Sequence, residues 1–215
     1  FSVNIWGVWA VPSNTVNAEI DQKPWGIAPA ISEQIYTLED ALLFAGMQMV
    51  ILRNADVIKI ACQSLLTNIS ACIMTEKNGE YWLQTIYYPF HYFATYAKGT
   101  VLKTASIGPC YSCAEFDGVP YVDSLVVWNE EDQELVIFAV NRSEEELQKA
   151  EVDLQDFEIQ HVIESICMTA ENKKMTNMEQ HDAVIPKKEK NVEIETGRCQ
   201  IALQPLSFNM VRLAV

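Results

Sequence analysis

Apolar positions in the first hundred residues fall into long runs with different spacings. FSVNIWGVW (1–9) is β-branched and aromatic almost throughout, which predicts a buried strand. Residues 10–31 place Pro12, Pro24, Gly26 and Pro29 among polar positions and predict a long irregular connection. Thr37-Leu38-Glu39-Asp40 then forms a capping box, acidic in its first turn, leading into ALLFAGMQMVILRN with Arg53 near the end. Apolar residues occupy almost the whole circumference of that helix, so it is expected to be covered on most sides. Asp56 to Cys62 predicts a second strand, and strand, loop, helix, strand is a βαβ crossover. ISACIMTE and YWLQTIYYPF, on either side of Asn78-Gly79, predict a hairpin, and 90–98 a helix with Gly99 as its C′ cap.

Past Gly99 the helical spacing stops. Short β-rich segments recur at sandwich spacing over 100–106, 121–129, 134–142, 150–154, 161–170, 199–204 and 207–215, with acidic turns between them. The expected architecture is mixed: an α/β unit over 1–98, then an antiparallel β-sandwich over 99–215. Two parallel strands with two helices cannot close a sheet, because such strands need neighbours on either side and helices on both faces. Residues 1–98 therefore read as the last part of a larger α/β assembly.

Composition narrows the function. With 49% hydrophobic and 20% charged residues the 215-residue chain is ordinary globular protein. A net charge of −14 and the lack of a dense basic stripe argue against nucleic acid and anionic membranes as partners. Lys187-Lys188-Glu189-Lys190 is expected to be solvated loop. No apolar run approaches the roughly 20 residues of a bilayer span, and nothing addresses the chain outside the cytoplasm. Cys62, Cys72, Cys167 and Cys199 scatter through apolar runs as free buried thiols would; Cys110 and Cys113 form the only C-x-x-C, without further ligands at zinc spacing. No metal or cofactor is expected. His91, His161 and His181 have no Ser or Cys partner at motif spacing and read as packing or surface. The carboxylates Glu39-Asp40, Glu130-Glu131-Asp132 and Glu144-Glu145-Glu146 read as a helix first turn and two solvated turns, none expected to flank an aromatic-lined cleft.

Several stretches resemble one family. They are IYTLEDALL (35–43), NADVIKIAC (54–62), MTEKNG with Trp82, QTIYYPF (84–90), Val119-Pro120-Tyr121, IFAVNR (137–142) and LSFNMVRL (206–213). Together they resemble the α-L-arabinofuranosidases of glycoside hydrolase family 51, in the family's order and across the whole chain. The resemblance implies that 1–98 is the C-terminal remnant of a (β/α)8 barrel, holding its seventh and eighth strands, and that 99–215 is the C-terminal sandwich. Barrels of this kind carry their chemistry at the C-terminal ends of the strands.

In the family the seventh strand reads roughly SFDEWNVWY, and its Glu is the nucleophile of a retaining mechanism. Here Ile5 holds that position, Asn4 replaces the neighbouring acid and Gly7 the following Asn. A retaining glycosidase uses two carboxylates about 5 Å apart, and isoleucine can serve as neither. The family's acid/base lies on its fourth strand, which this sequence does not contain. A glutamine after the eighth strand falls at Leu65, with Gln63 two residues earlier, and Trp9 matches a wall of the sugar subsite. The chain is thus expected to be catalytically incompetent alone, no catalytic residue being assigned, with arabino-oligosaccharide as the implied ligand. It is expected to form a homo-oligomer, or to meet a companion chain that supplies the barrel, over 1–9 and 57–62. The alternative is a non-catalytic carbohydrate-binding or interaction module, for which Tyr121, Trp128, Phe138, Phe157 and Phe208 would need an exposed face rather than a place in the core.

Overall fold

The computed structural model describes residues 1–8, 33–76, 78–154, 156–195 and 198–215. The connection expected over 10–31 lies outside them, as does Trp9. Strand β1 (Ser2–Trp6) and β2 (Ile60–Gln63) pair in parallel, Ser2 opposite Ile60 and Trp6 opposite Gln63, with helix α1 (Leu38–Arg53) between them in sequence. The capping box forms as expected: the Thr37 amide donates to Asp40 Oδ2 at 2.8 Å, and the Asp40 amide to Thr37 Oγ1 at 3.3 Å. Strand β2 is shorter than the predicted run. After α1 the chain turns through residues 54–59, the Val57 and Ile58 amides both donating to the Asn54 carbonyl, and extends only from Ile60.

The hairpin of β3 (Ile73–Thr75) and β4 (Tyr81–Leu83) closes around Asn78 and Gly79, both at positive φ, which suits the Asn-Gly pair. Its second strand stops at Leu83, and helix α2 (Tyr87–Tyr96) takes up residues predicted to be strand. Pro89 sits in the first turn of α2, where its missing N–H costs no helical bond. The helix is capped by Ala97, so Gly99 lies one residue beyond the expected C′ position; its φ of +116° serves the entry into β5 (Thr100–Leu102).

All seven expected sandwich segments contain strands. One sheet has six: β5, β8 (Val122–Asn129), β9 (Glu134–Asn141), β15 (Ser207–Ala214), β11 (His161–Met168) and, at its edge, β12 (Lys187–Lys188). Lys187 and Lys188, expected in a loop, are exposed on this edge strand, where lysine discourages further pairing. The second sheet has the order β10 (Gln148–Asp153), β14 (Arg198–Leu203), β13 (Val192–Glu195). A small hairpin, β6 (Cys110–Tyr111) with β7 (Val119–Pro120), has no period in the sequence to announce it.

The six-stranded sheet is covered on both faces. Val126, Leu135, Ile137, Val211 and Leu213 pack against Ile201, Cys199 and Leu203 of the smaller sheet. On the other face, Val127, Phe138, Phe208 and Met210 share a core with Trp6, Leu38, Phe44, Ile86 and Phe93 from the α/β segment. Phe93 stacks on Phe138 with ring centroids 4.2 Å apart. One core thus runs across residue 99. Helix α1 is less covered than its composition predicts, since Leu43 and Val50 are 56% and 53% exposed on the flank turned away from the sheet core. Cys72, Cys167 and Cys199 are buried as expected, while Cys62 is exposed on β2.

Candidate functional site

The C-terminal ends of β1 and β2 lie side by side because the strands are parallel, and the Ser64 amide donates to the Trp6 carbonyl at 3.1 Å. Ile5, the position the resemblance gives to the nucleophile, is the residue before Trp6 in β1. Trp6 itself stacks on Phe44 of α1 at 4.6 Å and holds the strand end to the helix. An added Cβ on Gly7 would meet nothing within 4 Å.

A buried polar cluster organises this end. The Tyr36 hydroxyl lies 3.1 Å from the Val8 carbonyl oxygen and 2.9 Å from Gln34 Oε1, two acceptors that share its one proton. Burial pushes that phenol up to about 12, with the Ser70 hydroxyl beside it pulling the other way, so it is a hydrogen-bond donor at any physiological pH. Gln84 is fully buried and clamps three segments: its Oε1 accepts from the Tyr36 amide, and its Nε2 donates to the Gln34 and Ala71 carbonyls. Gln63 donates to the Ser70 carbonyl at 2.8 Å, in a loop where Asn68 and Ser70 both hold positive φ. Leu65 is 57% exposed just past β2.

These groups hold neighbouring backbone segments in place. Amides and a phenol held protonated can neither attack an anomeric carbon nor protonate a leaving group near neutral pH. Asp40, the acid that opens α1, is committed to the helix cap.

A second concavity of about 910 Å³ opens between the exposed flank of α1 and the sandwich, lined by Leu43, Met47, Tyr111, Tyr121, Arg142 and Glu144 among others. Glu39 and Glu144–Glu146 also line it beside two tyrosines, contrary to the expectation that these carboxylates flank no aromatic cleft. Folding brings together segments a hundred positions apart, which sequence spacing does not show. Two of these carboxylates are engaged in ion pairs: Lys173 Nζ lies 2.5 Å from Glu144 Oε1, and Lys174 pairs with Glu39. Across the cleft Asp123 is bridged by Arg53 and Arg142, tying α1 to β8 and β9.

The histidines behave as packing and surface residues. His91 stacks on Tyr87 and His181 on Trp82, while His161 is exposed at the start of β11. Among the described residues no three His, Cys, Asp or Glu side chains gather as metal ligands would. The role of Tyr36 and Gln84 has no motif in the sequence; each lies in a quoted stretch, but their partnership spans 48 positions.

Residues 6–207 match the family model described as Alpha-L-arabinofuranosidase C-terminal domain. The chain belongs to that family. The intracellular exo-α-(1→5)-L-arabinofuranosidase of Halalkalibacterium halodurans is 41% identical over 212 residues, which are 99% of this chain and 42% of the relative. Its counterpart 1 from Bacillus subtilis is 38% identical with the same coverage. The chain therefore spans less than half the length of these relatives. The family 51 α-L-arabinofuranosidase AbfB of Bifidobacterium longum superposes with a TM-score of 0.84 at 28% identity, over 97% of this chain and 40% of that one. The family 51 arabinofuranosidase of Xanthomonas axonopodis pv. citri gives 0.83 at 22% identity, over 99% and 40%, and supports the same fold. The arabinofuranosidase C-terminal domain is thus the frame in which the β1–β2 end is to be read. Its sandwich aromatics match a structural part: Phe138 and Phe208 are buried, and Trp128 stacks on Phe157 at 4.9 Å. No described helix is long and apolar enough to cross a membrane.

Proposed function

We propose that the chain is the C-terminal part of a cytoplasmic arabinofuranosidase-like protein, with 1–98 completing a (β/α) barrel and 99–215 forming the sandwich that holds it. The substrate class of the whole protein is terminal arabinofuranosyl residues of arabino-oligosaccharides, in keeping with the names of its relatives. The chain does not hydrolyse them alone. One observation carries the reading: β1 runs parallel to β2 through the α1 crossover, as consecutive barrel strands do, and the nucleophile position in β1 is Ile5.

Restoring a carboxylate at residue 5 supplies at most one of the two groups a retaining mechanism needs. Purified chain incubated with an aryl α-L-arabinofuranoside is therefore expected to release no phenol above the buffer rate, and Ile5→Glu to behave identically. Turnover by the unaltered chain would refute this reading. The alternative of a sugar-binding module retains one feature, the Tyr111–Tyr121 pair in the cleft with ring centroids 5.0 Å apart. Titration with arabino-oligosaccharides against Tyr121→Ala tests it directly.

A further inference from the structure

The cleft between α1 and the sandwich follows the helix for most of its length. Its lining runs from Glu39 in the first turn to Val50 in the last, about 16 Å at a rise of about 1.5 Å per residue. Leu43, Met47 and Val50 recur at helical spacing and give one wall an apolar stripe. The sandwich gives the other wall two aromatic rings, Tyr111 in β6 and Tyr121 just ahead of β8, with centroids 5.0 Å apart and planes inclined at 39°. Arg142 is fixed beside them: its Nη2 donates to Asp123 Oδ2 at 2.8 Å and its Nη1 to the Pro120 carbonyl at 3.0 Å. Those two bonds use only part of a fork of five donors. Glu145 and Glu146 line the same side and take part in no ion pair among the described residues.

We propose that this cleft binds a neutral oligosaccharide chain, several linked units long, laid along α1. The proposal rests on the substrate class given above and adds a second point of contact with it, away from the β1–β2 strand ends. The lining selects the ligand. Inclined tyrosine rings and an apolar stripe suit the C–H faces of sugars, while guanidinium donors and carboxylate acceptors suit their hydroxyls, which need both. A wholly apolar ligand would bury Arg142, Glu145 and Glu146 without partners. A simple cation gains little, because Asp123 is already bridged by Arg53 and Arg142, and Glu144 by Lys173. Phosphates and uronates are repelled by Glu145, Glu146 and a net charge of −14. A volume of about 910 Å³ stands near the top of the range for small-ligand sites, so with the length of the cleft it fits a chain better than one sugar. The end at Glu39 lies on the side where β1 and β2 end, since α1 must carry the chain back between two parallel strands. A chain held along α1 therefore leads toward that face.

Calorimetric titration of the 215-residue chain with arabinose and with linear α-(1→5)-arabinotetraose is the test. The tetraose is expected to bind about tenfold tighter than the monosaccharide, because added units gain contacts along the helix. Tyr111→Ala is expected to weaken tetraose binding about tenfold by removing one stacking face. Glu145→Gln with Glu146→Gln, both in an exposed turn, leaves the hairpin untouched and is expected to weaken it about threefold by discharging two acceptors. Tetragalacturonate, of the same length but anionic, is expected not to bind. No binding of arabinotetraose at millimolar concentration, an affinity independent of chain length, equal binding of the uronate, or binding unchanged in both variants would each overturn the proposal. Titration reads the cleft and phenol release reads the strand ends, so a failure of one is distinguishable from a failure of the other.

Discussion

Replacing Gly99 with alanine puts a methyl group where the fold has no room for one. At φ +116° a side chain is strained before any contact is considered, by about 1–2 kcal/mol. The new Cβ would also lie 2.1 Å from the Trp128 carbonyl oxygen and 3.0 Å from its carbon. Both atoms are backbone within β8, so no rotamer change relieves the clash. Strand β5 must instead move away from β8, weakening a ladder that pairs Thr100 with Trp128 and Leu102 with Val126, at about 1 kcal/mol per bond lost. The sum is about 3–4 kcal/mol, which for a chain of this size lowers Tm by roughly 10 °C. Gly46 is the control: it lies inside α1, and an added Cβ there meets only Arg142 Nη2 at 3.8 Å. Gly46→Ala is expected to stabilise by about 0.5–1 kcal/mol, since glycine is the poorer helix former. Urea titration and thermal melts of both variants read the difference, which has opposite sign for the same chemical change. A Gly99→Ala variant within 1 kcal/mol of the parent, or a Gly46→Ala variant less stable than it, would show this steric reasoning to be wrong.

Gln84→Leu removes the clamp at the strand ends and leaves the Tyr36 amide and the Ala71 carbonyl buried without their partner, so a loss of about 2–4 kcal/mol is expected in the same urea titration. Burial pushes the Cys72 thiol up to about 12 and the Cys167 and Cys199 thiols up to about 11, from an ordinary value near 9. The unfolded chain then loses these protons first, so stability is intact below about pH 9 and falls as pH rises toward 11–12. The slope is on the order of 1 kcal/mol per pH unit per thiol. Urea midpoints at pH 8 and 10 under reductant, compared with those of Cys167→Ala, measure it; an equal drop in the variant would remove Cys167 from the explanation. Arg212→Lys is expected to cost about 1–2 kcal/mol, because lysine reproduces neither the two-pronged contact with Glu134 nor the stacking over Tyr96 at 4.5 Å.

The parts legible in the sequence were those with a local cause. Thr37 and Asp40 announce α1 because the cap is made within one turn, and Asn78-Gly79 announces its hairpin because the turn itself demands positive φ. The long sandwich strands show through their β-branched runs. Residues 84–90 misled because aromatic and β-branched composition favours strand, whereas the segment turns helical where Phe93 can stack on Phe138. The two-residue strands β6, β7 and β12 are too short for any period, and exist through their partners alone. At the candidate site, the reading of Ile5 rests on the resemblance alone. The Tyr36–Gln84 clamp and the acidic cleft join residues remote in sequence, and neither leaves a local trace.

Strand β9 shows how one core comes to be shared by both halves of the chain. LVIFAV is a continuous apolar run rather than an alternating one, because Ile137 faces the smaller sheet while Phe138 faces the helices. The α/β segment is held to the sandwich by Phe93 on Phe138 and by Arg53 to Asp123, while Trp6 on Phe44 and the Tyr36 hydroxyl at the Val8 carbonyl hold the end of β1 to the rest of that segment.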